Sequence, residues 1–211
     1  MNLNRPLTSL IPSLEGEVLT VLAGADSSFT GNQVHKLIGS YSNRGVRDAL
    51  KRLCAQGIVT SRSAGAADLY ALNQSHLLAS YIKRVALART EFFDNLAHEV
   101  QGWTLKPDCA AVFGSTVRKD MNFKSDIDLF ISRPSKIGFG DASWRAQMAK
   151  LALLGEALTG NHIQIFELGK SEIARELKVR DGIIYSIIAD GVVFHGPTDY
   201  LSKLRKEKDN A

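Results

Sequence analysis

Two short features between Val112 and Ser132 carry the chemistry of this sequence. An apolar run ends on Gly114-Ser115, and the next run opens with Asp126-Ile127-Asp128. In an extended strand residues two apart share a face, so Asp126 and Asp128 point together while Ile127 and Leu129 point the other way, toward a core. Two carboxylates on one face repel unless a cation or a proton intervenes. Hard oxygen ligands in this arrangement suit Mg²⁺ or Mn²⁺, with substrate phosphates completing the shell. Gly114 permits close backbone approach to a phosphate, and N–H groups at a turn entering a helix attract anions. The Ser115 hydroxyl adds a donor, and Arg118 and Lys119, one turn further on, help to balance phosphate charge. A metal bridging carboxylates and phosphates, with donors behind the phosphates, is the apparatus of phosphoryl or nucleotidyl transfer. The competing reading is a polar hairpin with two solvated aspartates.

These residues need strands to hold them. "CAAVFG" is a short continuous apolar run, suited to a buried strand, and "DIDLFIS" alternates as a second strand. "ASWRAQMAKLALLGEALTG" reads as a helix ending at Gly160, "HIQIFEL" as the following strand, and "DGIIYSIIADGVVFHGP" as a closing helix and strand. The whole is Gly-Ser, ten residues, Asp-x-Asp, between two apolar strands. It resembles the signature of the DNA polymerase beta-like nucleotidyltransferase superfamily, and most of all its minimal nucleotidyltransferase group, over residues 108–197. That resemblance implies a mixed β-sheet with flanking helices. It implies ATP or another nucleoside triphosphate held through Mg²⁺, with Gly114 and Ser115 on the triphosphate. Asp126 and Asp128 would be the catalytic metal ligands. The acceptor would be a protein or RNA hydroxyl, in a toxin–antitoxin or transcription-control setting.

One position departs from that pattern. In the family it resembles, members that catalyse usually carry a third carboxylate on the strand after the helix, and the matching place here is Gln164. An amide donates and accepts hydrogen bonds, but adds no charge and cannot act as a general base. Glu167 lies three residues on and faces the opposite side of a regular strand, unless a bulge turns it back. His162 shares the strand face of Gln164, within reach of the site, and His195 stands beside the closing Gly-Pro. Two readings therefore stay open: a transferase, and a nucleotide sensor without turnover.

The upstream sequence is of another kind. Leu14, Val18, Val21 and Leu22 recur at helical spacing before Gly24. Thr30 is placed to cap a second helix bearing Val34, Leu37 and Ile38, and Ser42 to cap a third bearing Val46, Leu50 and Leu53, with Gly57 after its end. "IVTSR" and "DLYALN" then read as a β-hairpin around "SAGAA". Arg44, Arg47 and Lys51 lie on the side of the third helix away from its apolar stripe, and Arg62 stands at the base of the hairpin. "VRDALKRLCAQGIVTSR" is similar to the recognition helix and first wing strand of bacterial winged helix-turn-helix regulators, and the likeness spans residues 12–73. It implies double-stranded DNA as partner, read by Arg44, Arg47, Lys51 and Arg62. A solvated helix face and a protein-interaction module are the alternatives.

Between the two halves, from Ser75 to about Gly102, Leu78, Ile82, Val85, Phe92, Leu96 and Val100 mark one long amphipathic helix, a spacer or a dimerisation element. The expected organisation is α+β: a winged helix-turn-helix over 1–74, a joining helix over 75–105, a nucleotidyltransferase-like domain over 106–200 and a charged tail over 201–211. With 45% hydrophobic and 23% charged residues in 211, the chain has enough apolar surface for packed cores, and the net charge of +4 permits nucleic-acid contact without demanding it. Two distant cysteines and no metal-ligand spacing argue against a disulfide framework or a zinc site and fit the reducing cytoplasm. The start lacks a signal-peptide pattern, and no apolar run approaches bilayer length, so no membrane partner is expected.

Overall fold

The structure, a computed structural model, describes residues 1–118, 120–179 and 182–209. It is α+β, with two sheets in two compact units. The first unit comprises Asn2 and Asn4–Arg89; the second comprises Met1, Leu3 and the chain from Thr90 onward.

The first unit runs α1 (Pro6–Leu10), α2 (Leu14–Ala23), β1 (Phe29–Thr30), α3 (Gly31–Ile38), α4 (Asn43–Ala55), β2 (Val59–Ala64), β3 (Ala67–Leu72) and α5 (Ala79–Ala86). Polar caps set the helix starts. The Thr30 hydroxyl accepts from the Gln33 N–H while the Gln33 side chain returns to the Thr30 N–H, and Ser42 accepts from the Gly45 N–H. β2 and β3 form an antiparallel hairpin in register from Val59↔Leu72 to Ala64↔Ala67, and β1 adds to β3, giving the order β1-β3-β2. Val46, Leu50 and Leu53 of α4 are buried together with Val18, Leu22, Val34 and Leu72. Burying such side chains is worth about 1.5–3 kcal/mol each, and this is what fixes α4 on its apolar side. α1 has no counterpart in the sequence reading; Pro6 opens it.

The expected joining helix over 75–105 is two helices. Residues 75–78 form a turn, because the Asn73 side-chain amide oxygen and the His76 ring take the Ser75 and Leu78 N–H groups that a helix would use. α5 then stops at Ala86, and α6 (Ala88–Gln101) begins after Leu87, whose N–H is shared between the carbonyls of Lys83 and Arg84. Ala79 and Ile82 are buried in the core of the first unit, and Phe92, Leu96 and Val100 in that of the second. The apolar stripe reads as continuous, yet it serves two cores.

The second unit continues with β4 (Cys109–Phe113), α7 (Ser115–Arg118), β5 (Ile127–Arg133), α8 (Ala142–Thr159), β6 (Ile163–Gly169), α9 (Lys170–Glu176), α10 (Ile183–Asp190), β7 (Val192–His195) and α11 (Tyr200–Asp209). The sheet order is β6-β5-β4-β7; β5 and β6 are parallel and the other pairs antiparallel. Alternate residues of β5 face opposite ways. Ile127, Leu129 and Ile131 pack with Trp144 and Leu151 of α8, while Phe130 packs with Ile173, Ile184 and Leu201 from α9, α10 and α11. Helices thus cover both faces, which explains why β4 is apolar throughout and fully buried. Both cysteines carry free thiols, and burial pushes that of Cys109 up to about 12. Among the described residues no helix is long and apolar enough to cross a membrane.

Candidate functional site

The antiparallel pairing of β4 with β5 sets Phe113 opposite Asp128, so the chain leaving β4 at Gly114 passes directly over that carboxylate. Gly114 has φ +72°, and a Cβ there would run into the Asp128 carboxyl group. Backbone conformation and close approach both demand glycine here. The N–H groups of Val117 and Arg118 return to the Gly114 carbonyl at 3.1 and 3.2 Å, closing the one turn of α7. That turn aims Arg118 back toward the end of β5.

On the other side of β5, Gln164 is the register partner of Asp128. Gly114, Arg118, Asp128, Gln164 and Ser186 form the polar side of a cleft of about 310 Å³, and Phe113, Phe166 and Ile183 its apolar side. The volume lies at the small end of ligand-binding clefts. Asp126 is exposed, one residue before β5 begins. The Asp128 carboxyl titrates above its ordinary range because burial disfavours its charge and the Asp126 charge repels it; Arg118 pulls the other way. Asp126 and Arg118 thus both act on Asp128, in opposite directions. Arg118 also lies 3.7 Å from Asp120. Ser115, half-buried at the start of α7, follows the glycine but does not line the cleft. Lys119 lies outside the described residues.

The site's donors fit a single divalent cation better than a closed metal cage. Asp126 and Asp128 offer hard oxygens beside a neutral amide, and the repulsion on Asp128 is what a cation would relieve. Among the described residues no group of three or more His, Cys, Asp or Glu side chains comes together to hold a metal. Phosphate oxygens and water would have to supply the remaining ligands.

Three residues weighed from sequence do not line the cleft. Glu167 keeps the opposite strand face, since β5 and β6 stay in step from Ile127↔Ile163 to Arg133↔Gly169. It accepts from Arg133 Nε at 2.7 Å and from Trp144 Nε1 at 2.9 Å. His162, read as able to reach the site, instead places Nδ1 2.8 Å from Glu156 Oε1 on α8. His195 pairs with Ala110, at the end of β4 remote from Gly114, and burial and then Lys106 lower its pKa. Ser186, Phe166 and Ile183 were missed. The signal for Ser186 was a small polar residue, beside Tyr185, inside the otherwise aliphatic run 183–188.

In the first unit, Arg44, Arg47 and Lys51 all lie exposed on α4, and Arg62 is exposed on β2 opposite Leu69. Arg44 lies 3.9 Å from Asp48, and Arg47 Nη2 donates to Asn32 Oδ1 at 3.4 Å. Arg52 is held otherwise: its Nε donates to Glu15 Oε1 at 2.7 Å.

No family model matches the sequence, and no curated protein matches it. Among solved structures the chain is similar to a toxin–antitoxin crystallised with AMP-PNP, at 11% identity over 56% of this chain and 84% of that one, with a TM-score of 0.40. A mutant of the toxin–antitoxin MntA-HpeT gives 10% identity over 56% and 84%, with a TM-score of 0.38. The toxin–antitoxin MntA-HepT gives 12% identity over 57% and 84%, with a TM-score of 0.36.

Proposed function

We propose that the second unit binds a Mg²⁺-nucleoside triphosphate in the cleft at the end of β4 and transfers a nucleoside monophosphate to a protein or RNA hydroxyl, releasing pyrophosphate. The observation that carries this reading is the placement of Gly114 against Asp128, with Arg118 on the same cleft. A glycine turn that admits no side chain, a partly buried carboxylate repelled by its neighbour and a cation converge on one small volume. Asp126 and Asp128 would hold the metal, which neutralises phosphate charge when bound. Gly114 and Ser115 would receive the phosphates, with Arg118 and Lys119 balancing their charge. Phe166 and Ile183 offer an apolar wall to the nucleoside.

The first unit, in this reading, binds double-stranded DNA. Helices α2, α3 and α4 with a three-stranded sheet in the order β1-β3-β2 support a winged helix-turn-helix, and α4 buries its apolar side while exposing Arg44, Arg47 and Lys51. Arg62 on β2 would contact the neighbouring backbone.

A second reading rests on Gln164. With a neutral amide beside Asp128, the cleft suits nucleotide binding without turnover, as a sensor in a transcriptional regulator. Incubation with labelled ATP, Mg²⁺ and candidate protein and RNA acceptors separates the two. Label transfer that is lost in Asp126→Ala/Asp128→Ala supports the enzyme. Mg²⁺-dependent nucleotide binding with no labelled acceptor supports the sensor. Failure to bind any nucleotide overturns both.

A further inference from the structure

A second cleft, of about 290 Å³, lies wholly within the first unit, between α4, the start of α3 and the β2–β3 turn. Arg47 and Lys51 enter it from α4, four residues and thus about one turn apart. Tyr70 and Asp68 enter it from β3. At Gly31 an added Cβ would sit 3.6 Å from Arg47 Cγ and 3.9 Å from Tyr70 Cε2, so the arginine stem and the ring flank the same glycine. Asn32 Oδ1 is fixed by Asn43 Nδ2 at 2.8 Å and receives Arg47 Nη2 at 3.4 Å, which gives the guanidinium a set neighbour. Asp68 and Arg47 both act on the Tyr70 phenol, the first raising its pKa and the second lowering it, after the larger effect of burial.

We propose that this cleft binds a nucleotide, with its phosphate on Arg47 and Lys51, its base on Tyr70 and a sugar hydroxyl or base amine donating to Asp68. Two cations alone would suit any phosphate, but the Asp68 carboxylate repels a small dianion. The same carboxylate accepts a hydrogen bond from a larger ligand that carries a donor. An aromatic ring beside paired cations is the chemistry that holds bases and backbone in single-stranded nucleic acid. The ligand is therefore a nucleotide, free or as a unit of a DNA strand. Arg47 and Lys51 are also cations assigned above to duplex DNA, so a free nucleotide in the cleft takes them away from the duplex. That competition rests on the DNA-binding reading, whereas occupancy of the cleft does not.

The test uses the full-length protein in EDTA, which silences metal-dependent binding in the second unit, with adenosine 5′-monophosphate as probe and calorimetry as readout. Saturable binding is expected. It should weaken at least tenfold in Arg47→Ala/Lys51→Ala and in Tyr70→Ala, and persist in Tyr70→Phe, with melting curves checking that each variant is folded. Adenosine and orthophosphate should each bind at least tenfold more weakly than the monophosphate. Orthophosphate binding as tightly, no saturable binding of either the monophosphate or a short single-stranded oligonucleotide, or binding indifferent to Tyr70 and Arg47/Lys51 overturns the proposal. Tyr70-dependent binding of a short single-stranded oligonucleotide but not of the monophosphate identifies the strand as the source. Displacement of a labelled duplex by the monophosphate should occur in the wild type and fail in Tyr70→Ala, whose duplex affinity is retained. A protein that binds the monophosphate but no duplex overturns the DNA reading and leaves the nucleotide site standing.

Discussion

Gln164 stands directly beside Asp128 as its partner across the parallel strands β5 and β6. A neutral amide there leaves Asp128 repelled by Asp126 and not by a third charge. Replacing it with Gln164→Asp should raise Mg²⁺ affinity roughly tenfold, as one further carboxylate ligand becomes available, equivalent to about 1.4 kcal/mol. If turnover is limited by the missing charge, labelled transfer should rise with it. Mg²⁺ titrations of the two proteins that superimpose would remove Gln164 from the site.

Asp128 makes one contribution to the pH dependence of stability in the apo protein. Its carboxyl titrates above the ordinary range, through burial and then Asp126, so the native state binds its proton more tightly than the unfolded state does. That contribution to stability is fully present below the ordinary carboxylate range and is lost as pH rises through the raised value. Asp128→Asn should therefore melt higher than wild type at neutral pH, with the gap closing in acid. Saturating Mg²⁺-ATP at 100 times its Kd should restore about 2.7 kcal/mol to the wild type and nothing to the variant. Thermal scans at two pH values, with and without Mg²⁺-ATP, check both signs.

Gly114 is where backbone and site meet. Gly114→Ala places a side chain at φ +72° and against the Asp128 carboxyl group, so it should cost about 1–3 kcal/mol. It should also displace Asp128 and abolish Mg²⁺-dependent nucleotide binding while the sheet survives. Gly160→Ala, also at positive φ but with open space around its Cβ, controls for backbone strain alone. Equal nucleotide affinity in both variants would sink the role given to Gly114.

Much of this was legible because it is local. The apolar run ending at Gly114, the alternation of "DIDLFIS" and the caps Thr30 and Ser42 act over a few residues, and the structure places strands and helix starts at each. What escaped depends on partners distant in sequence. Nothing at Leu87 breaks a helix; the interruption reflects Ile82 and Phe92 burying into different cores. Ser186 joins the cleft only because α10 packs against the face of β5 that bears Asp128 and Phe130. His162 looked available by strand parity, but Glu156, six residues earlier on α8, engages its ring. The cleft of the first unit draws on α3, α4 and a turn more than thirty residues downstream of Thr30, a conjunction no periodicity announces.

The basic residues of α4 divide into two sets with different expected effects on DNA. All are exposed, but Arg44 and Arg47 make only long contacts, 3.9 Å to Asp48 and 3.4 Å to Asn32, while Arg52 is tied at 2.7 Å to Glu15 on α2. Each phosphate contact adds about one to the slope of log affinity against log salt. Arg44→Ala/Arg47→Ala should therefore weaken duplex binding and lower that slope by about 2, uniformly across sequences if the contacts are to phosphates. Arg52→Ala should leave the slope alone and lower the melting temperature slightly, as loss of a partly exposed ion pair costs at most about 1 kcal/mol. Filter binding of one labelled duplex across a salt series distinguishes them. A slope unchanged in the double variant would remove Arg44 and Arg47 from the DNA-binding face, and one lowered equally by Arg52→Ala would overturn the division between the two sets.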